Sequence, residues 1–266
     1  MDLLQALILG LVEGITEYLP VSSTGHLLIA QRLLGIPESA AANGYAIAIQ
    51  AGAILAVLGI YRQRVGQMLR GLIGKDPAGQ RLAGCIISAF LPAALLGKLF
   101  NDRIEQYLFG VKPVIAAWVV GGIVILALSR WINARREGRD LTTLTAGSAL
   151  VIGLFQCLAM WPGTSRSLVT ILGGLLVGLS LSAAVEFAFL LGVLTLSAAA
   201  AYSALKQGNG MIAAYGWPVL LAGFFMAWIS AAIAVKWMVA YLNRHGLAVF
   251  AWWRFVAAGI AALLLL

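Results

Sequence analysis

The sequence predicts an all-α polytopic membrane protein made of two inverted-topology repeats, each a re-entrant helical hairpin followed by three transmembrane helices. Composition is the first reason: 62% of the 266 residues are hydrophobic, 11% are charged, and the mean hydropathy is +0.95, which is outside the range of soluble domains. The second reason is a series of apolar runs that reach the roughly 20 residues a helix needs to cross a bilayer. The third is a pair of similar polar clusters about 140 positions apart, which indicates a duplicated unit.

The predicted elements follow in the same order in both repeats, which cover 1–143 and 144–266. Each repeat begins with a hairpin, over 1–36 and 144–180, because a proline near the middle of the segment would break a single helix. The predicted spans are 44–60, 82–100 and 113–130 in repeat one, and 184–204, 218–240 and 247–266 in repeat two. Since three spans is an odd number, the second repeat is inverted, and both hairpin turns should meet near the membrane midplane.

The net charge of +8 predicts the orientation of the chain. Arginine and lysine concentrate in the connections 61–81 and 130–143, whereas 101–112 carries mixed charges and 205–217 holds only Lys206. This alternation is what the positive-inside rule describes, so the basic connections should be cytoplasmic and both termini outside. The charge therefore reports topology, and no nucleic-acid partner is expected.

The first polar cluster begins with two acids on one helix face. Glu13 and Glu17 are four positions apart, so their side chains are neighbours on a helix. At membrane depth they must share a proton, bind a cation or face cationic groups. Ionisable groups inside a membrane indicate a functional site by default.

A hydroxyl-rich turn follows these acids. It opens at Pro20 and leads into a new helix whose free N–H groups would attract an anion such as phosphate; the candidate N-caps are Ser22, Ser23 and Thr24. Ser23 and His26 are three positions apart, and a serine nucleophile needs a base. Either Glu17 or His26 could supply it.

The second cluster repeats this turn with different chemistry. Pro162 opens it, Thr164 or Ser165 is expected to cap the next helix, and Arg166 lies in the first helical turn. An arginine is badly placed there for the helix dipole. It can grip a phosphate through two N–H groups, or pair with Glu13 or Glu17, or do each in turn. Glu186, an acid within a predicted span, could support the same site.

With these residues identified, the chain resembles the undecaprenyl pyrophosphate phosphatase family of bacterial inner membranes, the bacitracin-resistance type. The resemblance rests on the run EGITEYLPVSSTGHL from Glu13 to Leu27 and on the run PGTSRS from Pro162 to Ser167. Length, span number and duplicated organisation agree as well, so the resemblance covers essentially the whole chain. Leu168 departs from the pattern, because the family commonly has glycine there.

The resemblance implies hydrolysis of undecaprenyl pyrophosphate to undecaprenyl phosphate and phosphate. This reaction recycles the lipid carrier for cell-wall glycans and confers resistance to bacitracin. The resemblance implies Glu13 and Glu17 as acidic site residues, His26 as an essential partner, and Arg166 beside Ser165 as the phosphate clamp. The remaining turn residues expected at the substrate are Ser22, Ser23, Thr24, Gly163, Thr164 and Ser167.

The resemblance also implies cofactors and partners. A divalent cation, Mg²⁺ or Ca²⁺, would assist the reaction, with Glu13 and Glu17 as candidate ligands unless the ion arrives with the pyrophosphate. The expected partners are the C55 polyprenyl pyrophosphate, the phospholipid bilayer and, through Gly- and Ala-rich spans, a second copy in a homodimer. We expect the site to open to the outer side. Ser23 is the favoured nucleophile, and direct attack by a water held between the carboxylates is the alternative.

Two rival functions use the same features. Inverted repeats with broken helices are typical of secondary transporters, so a polyprenyl-phosphate flippase could use the same midplane site, although transport does not require the hydroxyl-plus-histidine turn. A histidine-nucleophile lipid phosphatase would need a histidine five residues after Arg166, where the sequence has Ile171. The second rival therefore fails.

Overall fold

In the computed structural model, the described residues form helices joined by short turns, with no strand among them. The structure describes residues 1–135, 137–242 and 244–266, and at 101–103, 105, 106 and 207 it describes the backbone alone. The side chains of Asp102, Arg103 and Glu105 in the connection 101–112, and residue Arg136 in the connection 130–143, therefore lie outside the described part of the chain.

The helices alternate between long apolar segments and short ones. In chain order they are α1 (Leu3–Thr16), α2 (Ser23–Leu33), α3 (Ala40–Ile60), α4 (Arg62–Leu72), α5 (Pro77–Leu108), α6 (Val111–Ala127), α7 (Ser129–Ala134), α8 (Ala146–Cys157), α9 (Arg166–Leu176), α10 (Leu181–Leu242) and α11 (Ala248–Leu265), with short 3₁₀ turns at Leu141–Thr143 and Leu158–Met160.

Within the described part of the chain, five helical segments are long and apolar enough to cross a membrane. They are Ala40–Ile60, Pro77–Phe100, Leu181–Lys206, Gly208–Leu242 and Ala248–Leu265. The prediction of an all-α, multi-pass membrane protein is thus confirmed. These segments overlap five of the predicted spans; the sixth, 113–130, is α6, which at 17 residues is shorter.

Polar caps explain why some helices start earlier than the apolar pattern predicts. The Asp76 side chain accepts a hydrogen bond from Gly79 N at 2.9 Å, and Pro77 follows as the first helical residue. Proline is favoured there because that position needs no N–H donor. As a result α5 begins five residues before the predicted start at 82, and Ser39 caps α3 in the same way.

The polar connections predicted to be cytoplasmic lie at one end of the molecule. Arg64 Nε lies 2.7 Å from Glu186 Oε1, and Arg81 Nη1 donates to Thr142 O at 3.3 Å. Glu186 is therefore engaged with the connection 61–81 and does not support the predicted site.

The longest helix doubles back on itself. Within α10, Gly216 has φ 74° and ψ 163°, a left-handed conformation that glycine adopts at little cost. The first residue of α10 donates its N–H to Arg135 O at 3.0 Å, and beyond its end Gly246 packs against Asn133. Both ends of α10 consequently lie at the same end of the molecule.

Each hairpin packs its first helix against a long helix of the other half of the chain. A Cβ added at Gly10 in α1 would lie 2.4 Å from Gly223 O, and one at Gly153 in α8 would lie 2.4 Å from Ala89 O. Such close approach requires glycine. The two hairpins are thereby held with their turns facing each other.

Candidate functional site

The turn between α1 and α2 meets the turn between α8 and α9 inside the molecule. The Ser167 hydroxyl donates to Leu19 O at 2.9 Å. Arg254 of α11 donates from Nε to Pro20 O at 2.8 Å and from Nη2 to Thr164 O at 2.9 Å. Two segments far apart in sequence thus form one polar centre.

The two turns have the same backbone form at the residue that starts the second helix. Ser22 is the N-cap of α2 with φ 72°, and Ser165 is the N-cap of α9 with φ 78°; these are the positive-φ residues other than glycine in the described chain. The predicted caps are confirmed. The structure pairs Ser22 with Ser165, and this separation of 143 positions equals that of Glu13 and Gln156.

Glu17 joins the two turns chemically. The Ser23 hydroxyl donates a hydrogen bond to Glu17 Oε2, and Arg166 Nη2 lies 3.0 Å from Glu17 Oε1. Glu17 is 7% exposed and Ser23 6%, so the contacts are shielded from solvent and strong. Serine, carboxylate and guanidinium are therefore in one connected group.

Arg166 reaches this position from the second turn. Its Nη1 donates to Ala188 O at 3.1 Å, and its guanidinium lies 5.3 Å from the centre of the Tyr18 ring. A Cβ at Gly192 would lie 1.9 Å from Nη1, so the absent side chain at Gly192 makes the space for the cation. Its Nε has no hydrogen-bond partner and is buried.

Buried polar atoms without partners collect around the two turns. Among the described side chains these atoms are Glu13 Oε1 and Oε2, Tyr18 OH, Trp118 Nε1 and Arg166 Nε. An unpaired buried polar group costs about 1–3 kcal/mol, and such groups call for an explanation when they cluster. Donors and acceptors left open at one place are what a polar ligand would satisfy.

Comparison with known proteins identifies the family. A family model described as bacitracin resistance protein BacA matches residues 6–260. The chain belongs to this family.

Curated relatives align with this chain over most of their length. The chain is 44% identical to "Undecaprenyl-diphosphatase 2" of Rhodospirillum rubrum, over 98% of this chain and 94% of the relative. It is 43% identical to "Undecaprenyl-diphosphatase" of Sorangium cellulosum, over 97% of this chain and 84% of the relative. It is also 43% identical to "Undecaprenyl-diphosphatase 1" of Chromobacterium violaceum, over 98% and 95%.

In this member of the BacA family, the hydrogen bonds of His26 go to groups other than the Ser23 hydroxyl. Its Nδ1 lies 2.7 Å from Ser22 O, and since a carbonyl only accepts, Nδ1 carries the proton. Its Nε2 accepts from Trp253 Nε1 at 2.9 Å. Both ring nitrogens are thus engaged, and the ring packs 4.6 Å from that of Trp118.

The other predicted turn residues support the geometry. Ser165 Oγ accepts from Leu168 N at 3.3 Å and lies 3.0 Å from Ser167 Oγ. Gly163 O and Thr164 O accept from Arg254. Ser22 is buried without a capping bond, and Thr24 is partly exposed beside it.

Sequence reasoning missed Arg254, Trp253 and the contact of Trp118 with His26. Arg254 is 0% exposed and stands alone among apolar residues of a span. That isolation is the signal that could have revealed it, since an arginine at membrane depth is rarely idle. The tryptophans gave no such signal, because an interfacial belt explains tryptophan equally well.

The acids at the site fit a divalent cation only in part. The carboxyl of Glu13 lies against that of Glu17, and both Glu13 oxygens are open. Among the residues that the structure describes, no three His, Cys, Asp or Glu side chains gather as metal ligands. Mg²⁺ is commonly held by one or two carboxylates plus substrate phosphates, so the residues fit an ion that the substrate completes.

Proposed function

We propose that this chain is an integral membrane phosphatase that hydrolyses undecaprenyl pyrophosphate to undecaprenyl phosphate and phosphate. Its BacA-family membership and its relatives' names support this activity, whereas nothing among them favours the flippase alternative. The observation that carries the mechanism is the contact of Ser23 and Arg166 with the same carboxylate, Glu17. Carrier recycling and bacitracin resistance follow from the reaction.

In the proposed first step, Ser23 Oγ attacks the terminal phosphorus of the pyrophosphate. Its proton passes to Glu17 Oε2, which already accepts it in a hydrogen bond. The bond from the terminal phosphorus to the bridging oxygen breaks, and undecaprenyl phosphate leaves with that oxygen. A phosphoserine remains.

In the second step, water attacks the phosphorus of phosphoserine. Glu17, protonated in the first step, returns its proton to the Ser23 oxygen as the bond from that oxygen to phosphorus breaks, and the proton lost by the water leaves on the phosphate. Direct attack by water on the pyrophosphate remains the alternative, because the open Glu13 oxygens could hold a water molecule. The two routes differ in whether phosphate becomes bound to Ser23.

Arg166 changes partners during this cycle. Without substrate it pairs with Glu17 at 3.0 Å. A pyrophosphate between the turns presents more negative charge than one carboxylate, so the guanidinium moves to the phosphate oxygens and neutralises charge that develops there. The free N–H groups at the starts of α2 and α9 add to this attraction.

His26 has a positioning role in this scheme. It holds Ser22 O through Nδ1 and Trp253 through Nε2, so it fixes the turn that carries Ser23. We assign the base to Glu17 on this geometry. A divalent cation held by Glu13, Glu17 and the substrate would neutralise charge on the pyrophosphate.

The proposed setting is the bacterial inner membrane. We propose two inverted repeats with both termini outside and the site open to the outer side. The exchanged packing of α1 on Gly223 and of α8 on Ala89 supports the repeats. The hydrogen bond from Arg81 to Thr142 O, which joins the basic connections 61–81 and 130–143 at one end, supports the orientation. A homodimer is also proposed; mass analysis of the detergent-solubilised protein tests it.

The decisive experiment combines phosphate release with trapping. Purified protein in detergent is given a prenyl pyrophosphate labelled in its terminal phosphate, and free phosphate and protein-bound label are measured. We expect release by the wild type and loss of release in Arg166→Ala, which excludes a protein that only transports lipid. Absence of release by a folded wild type would refute the proposed function.

Trapping of labelled phosphate then distinguishes attack by Ser23 from attack by water, and Glu17 from His26 as the base. Label should appear on wild type and His26→Ala, and be absent from Ser23→Ala and Glu17→Gln. Ser88→Ala is the matched control, because this hydroxyl bonds only to Gly84 O of its own helix. Full activity in Ser23→Ala would establish water as the nucleophile.

A further inference from the structure

Arg254 is a buried cation that the proposed reaction does not use. It lies within α11, in the segment Ala248–Leu265 that is long and apolar enough to span the membrane, and it is 0% exposed. Placing a guanidinium there costs several kcal/mol unless hydrogen bonds and charge compensate it. The hydrogen-bond partners of Arg254 therefore indicate its role.

All three nitrogens of the guanidinium donate to the two turns. Nε donates to Pro20 O at 2.8 Å in the first turn. Nη1 donates to Gly163 O at 3.3 Å and Nη2 to Thr164 O at 2.9 Å in the second turn. One rigid planar group therefore sets the separation of two loops that come from opposite halves of the chain.

The fold makes room for this group. A Cβ at Gly121 in α6 would lie 2.2 Å from Arg254 Nη1, so any side chain there would displace the guanidinium. Gly192 leaves space for Arg166 in the same manner. Two arginines at the turns thus each occupy the space left by a glycine.

Among the side chains that the structure describes, no acid forms an ion pair with Arg254. The ion pairs found in the described part of the chain involve Arg32, Arg64, Arg70 and Arg166. Backbone carbonyls satisfy the N–H groups of Arg254 but do not neutralise its charge. An anion between the turns would therefore experience a second positive charge close behind the backbone.

We infer that Arg254 is a positioning residue, which holds the Ser23 turn and the Arg166 turn in register and adds to their attraction for the pyrophosphate. Its role rests on the proposed diphosphatase activity. Arg254 does not touch the reacting atoms. A displacement of about 1 Å between nucleophile and phosphate clamp is enough to lower turnover about 100-fold.

The test compares Arg254→Lys and Arg254→Met with the wild type. Lysine keeps the charge but cannot bridge three carbonyls, and methionine keeps an unbranched chain of similar reach without the charge. Prenyl pyrophosphate turnover, KM, inhibition by inorganic pyrophosphate, and thermal unfolding with and without pyrophosphate are measured in detergent, well below each melting temperature. Arg32→Met, at a surface ion pair with Glu38, is the control.

We expect Arg254→Lys to lose kcat about 10-fold with little change in pyrophosphate inhibition. Arg254→Met should lose kcat about 100-fold and also show about 10-fold weaker inhibition. A purely structural arginine would lower the melting temperature and leave both quantities unchanged in the folded protein. Wild-type kcat and inhibition in Arg254→Met would overturn the inference.

Gly121→Ala tests the same role while keeping the arginine, in case Arg254→Met does not fold. Its methyl group displaces the guanidinium, and we expect about 10-fold lower kcat. Gly259→Ala is the matched control in α11, because a Cβ there meets nothing within 4 Å. Equal activity in these two variants would overturn the inference. If the wild type releases no phosphate, the proposed function fails, and the thermal shift with pyrophosphate still tests Arg254 by itself.

Discussion

At the first hairpin turn the residue after the capping serine is another serine, Ser23, and at the second turn it is an arginine, Arg166. The backbone is alike in both, with φ 72° at Ser22 and 78° at Ser165. Both helices that follow are 11 residues long. The same backbone conformation thus places a hydroxyl side chain at the start of one helix and a guanidinium at the start of the other.

The residues before the turns differ as well, and this difference explains how the halves cooperate. At the same separation of 143 positions, Glu13 corresponds to Gln156, and Glu17 to Met160. Gln156 is fully engaged, donating to Ala89 O at 3.4 Å and accepting from Thr195 at 3.1 Å. The two carboxyl oxygens of Glu13 have no hydrogen-bond partner. At this position the first half therefore keeps both carboxyl oxygens open, whereas the second half has a bonded amide, and its turn supplies the cation Arg166.

The largest expected effect on kcat comes from removing the serine nucleophile of the first turn, and the matching change in the second turn should have much less effect. Ser23→Ala removes the proposed nucleophile and should lower kcat about 1,000-fold or more. Ser165→Ala removes a cap that accepts from Leu168 N, so it should cost about 1 kcal/mol of stability and lower kcat less than about 10-fold. Steady-state phosphate release and thermal unfolding measure both. Equal losses of kcat would mean that the turns do not differ in function.

The next effect concerns the base. Glu17→Gln keeps the size of the side chain but cannot take the Ser23 proton, and we expect kcat to fall about 100-fold. Met160→Gln makes the matching change at the corresponding position of the second half and should leave kcat within about 2-fold. A Glu17→Gln enzyme with wild-type turnover would move the base to another residue, of which His26 is the first candidate.

The extent to which sequence predicts this site follows from how local each feature is. The turns, their capping serines and the acids at 13 and 17 were predictable, because proline, hydroxyl caps and helical spacing act within a few residues. The partner of Ser23 was not, since Glu17 and His26, six and three positions away, are both close enough in sequence to reach it. The positive φ of Ser22 and the rotation of α2 decide between them, and those depend on tertiary packing.

The same limit explains the missed residues and the shifted helix boundaries. Arg254 donates to carbonyls that are 90 and 91 positions away in sequence, and no local pattern reports such a contact. Hydropathy found the apolar centre of α5 but not its start, which the cap at Asp76 fixes. Glu186 looked like a site acid because its span is apolar, yet Arg64 reaches it from another connection.

A smaller effect concerns the open acid. If Glu13 helps to hold a divalent cation, Glu13→Gln should raise the Mg²⁺ concentration for half-maximal activity about 10-fold. Gln156→Glu, at the corresponding position, should leave the Mg²⁺ dependence unchanged but lower stability by about 1–3 kcal/mol, because a carboxylate cannot donate to Ala89 O. Titration of activity with Mg²⁺ after chelation measures this, and an unchanged midpoint in Glu13→Gln would remove Glu13 from the cation.

A still smaller effect concerns His26, which has no counterpart in the second turn, where Val169 stands at the same separation. Trp253→Phe removes the donor to His26 Nε2. If this hydrogen bond contributes about 1 kcal/mol to holding His26 in place, its loss should lower kcat about 5-fold. Trp252→Phe is the neighbouring control, since the ring contact of Trp252 among the described residues is with Phe255. Equal effects of the two changes would show that Trp253 acts through packing rather than through His26.

The smallest effect tests whether the matching backbones carry matching strain. A side chain at positive φ outside glycine costs about 1–3 kcal/mol, and Ser22 has no capping hydrogen bond to offset it. Ser22→Gly should therefore stabilise the protein by about 1 kcal/mol, after allowance for the freer unfolded chain. Ser165→Gly relieves similar strain but loses the bond from Leu168 N, so its net change should be near zero. Thermal unfolding in detergent compares the two variants. Equal shifts in melting temperature would mean that the capping bond does not distinguish the two turns. Their difference would then lie in side-chain chemistry alone.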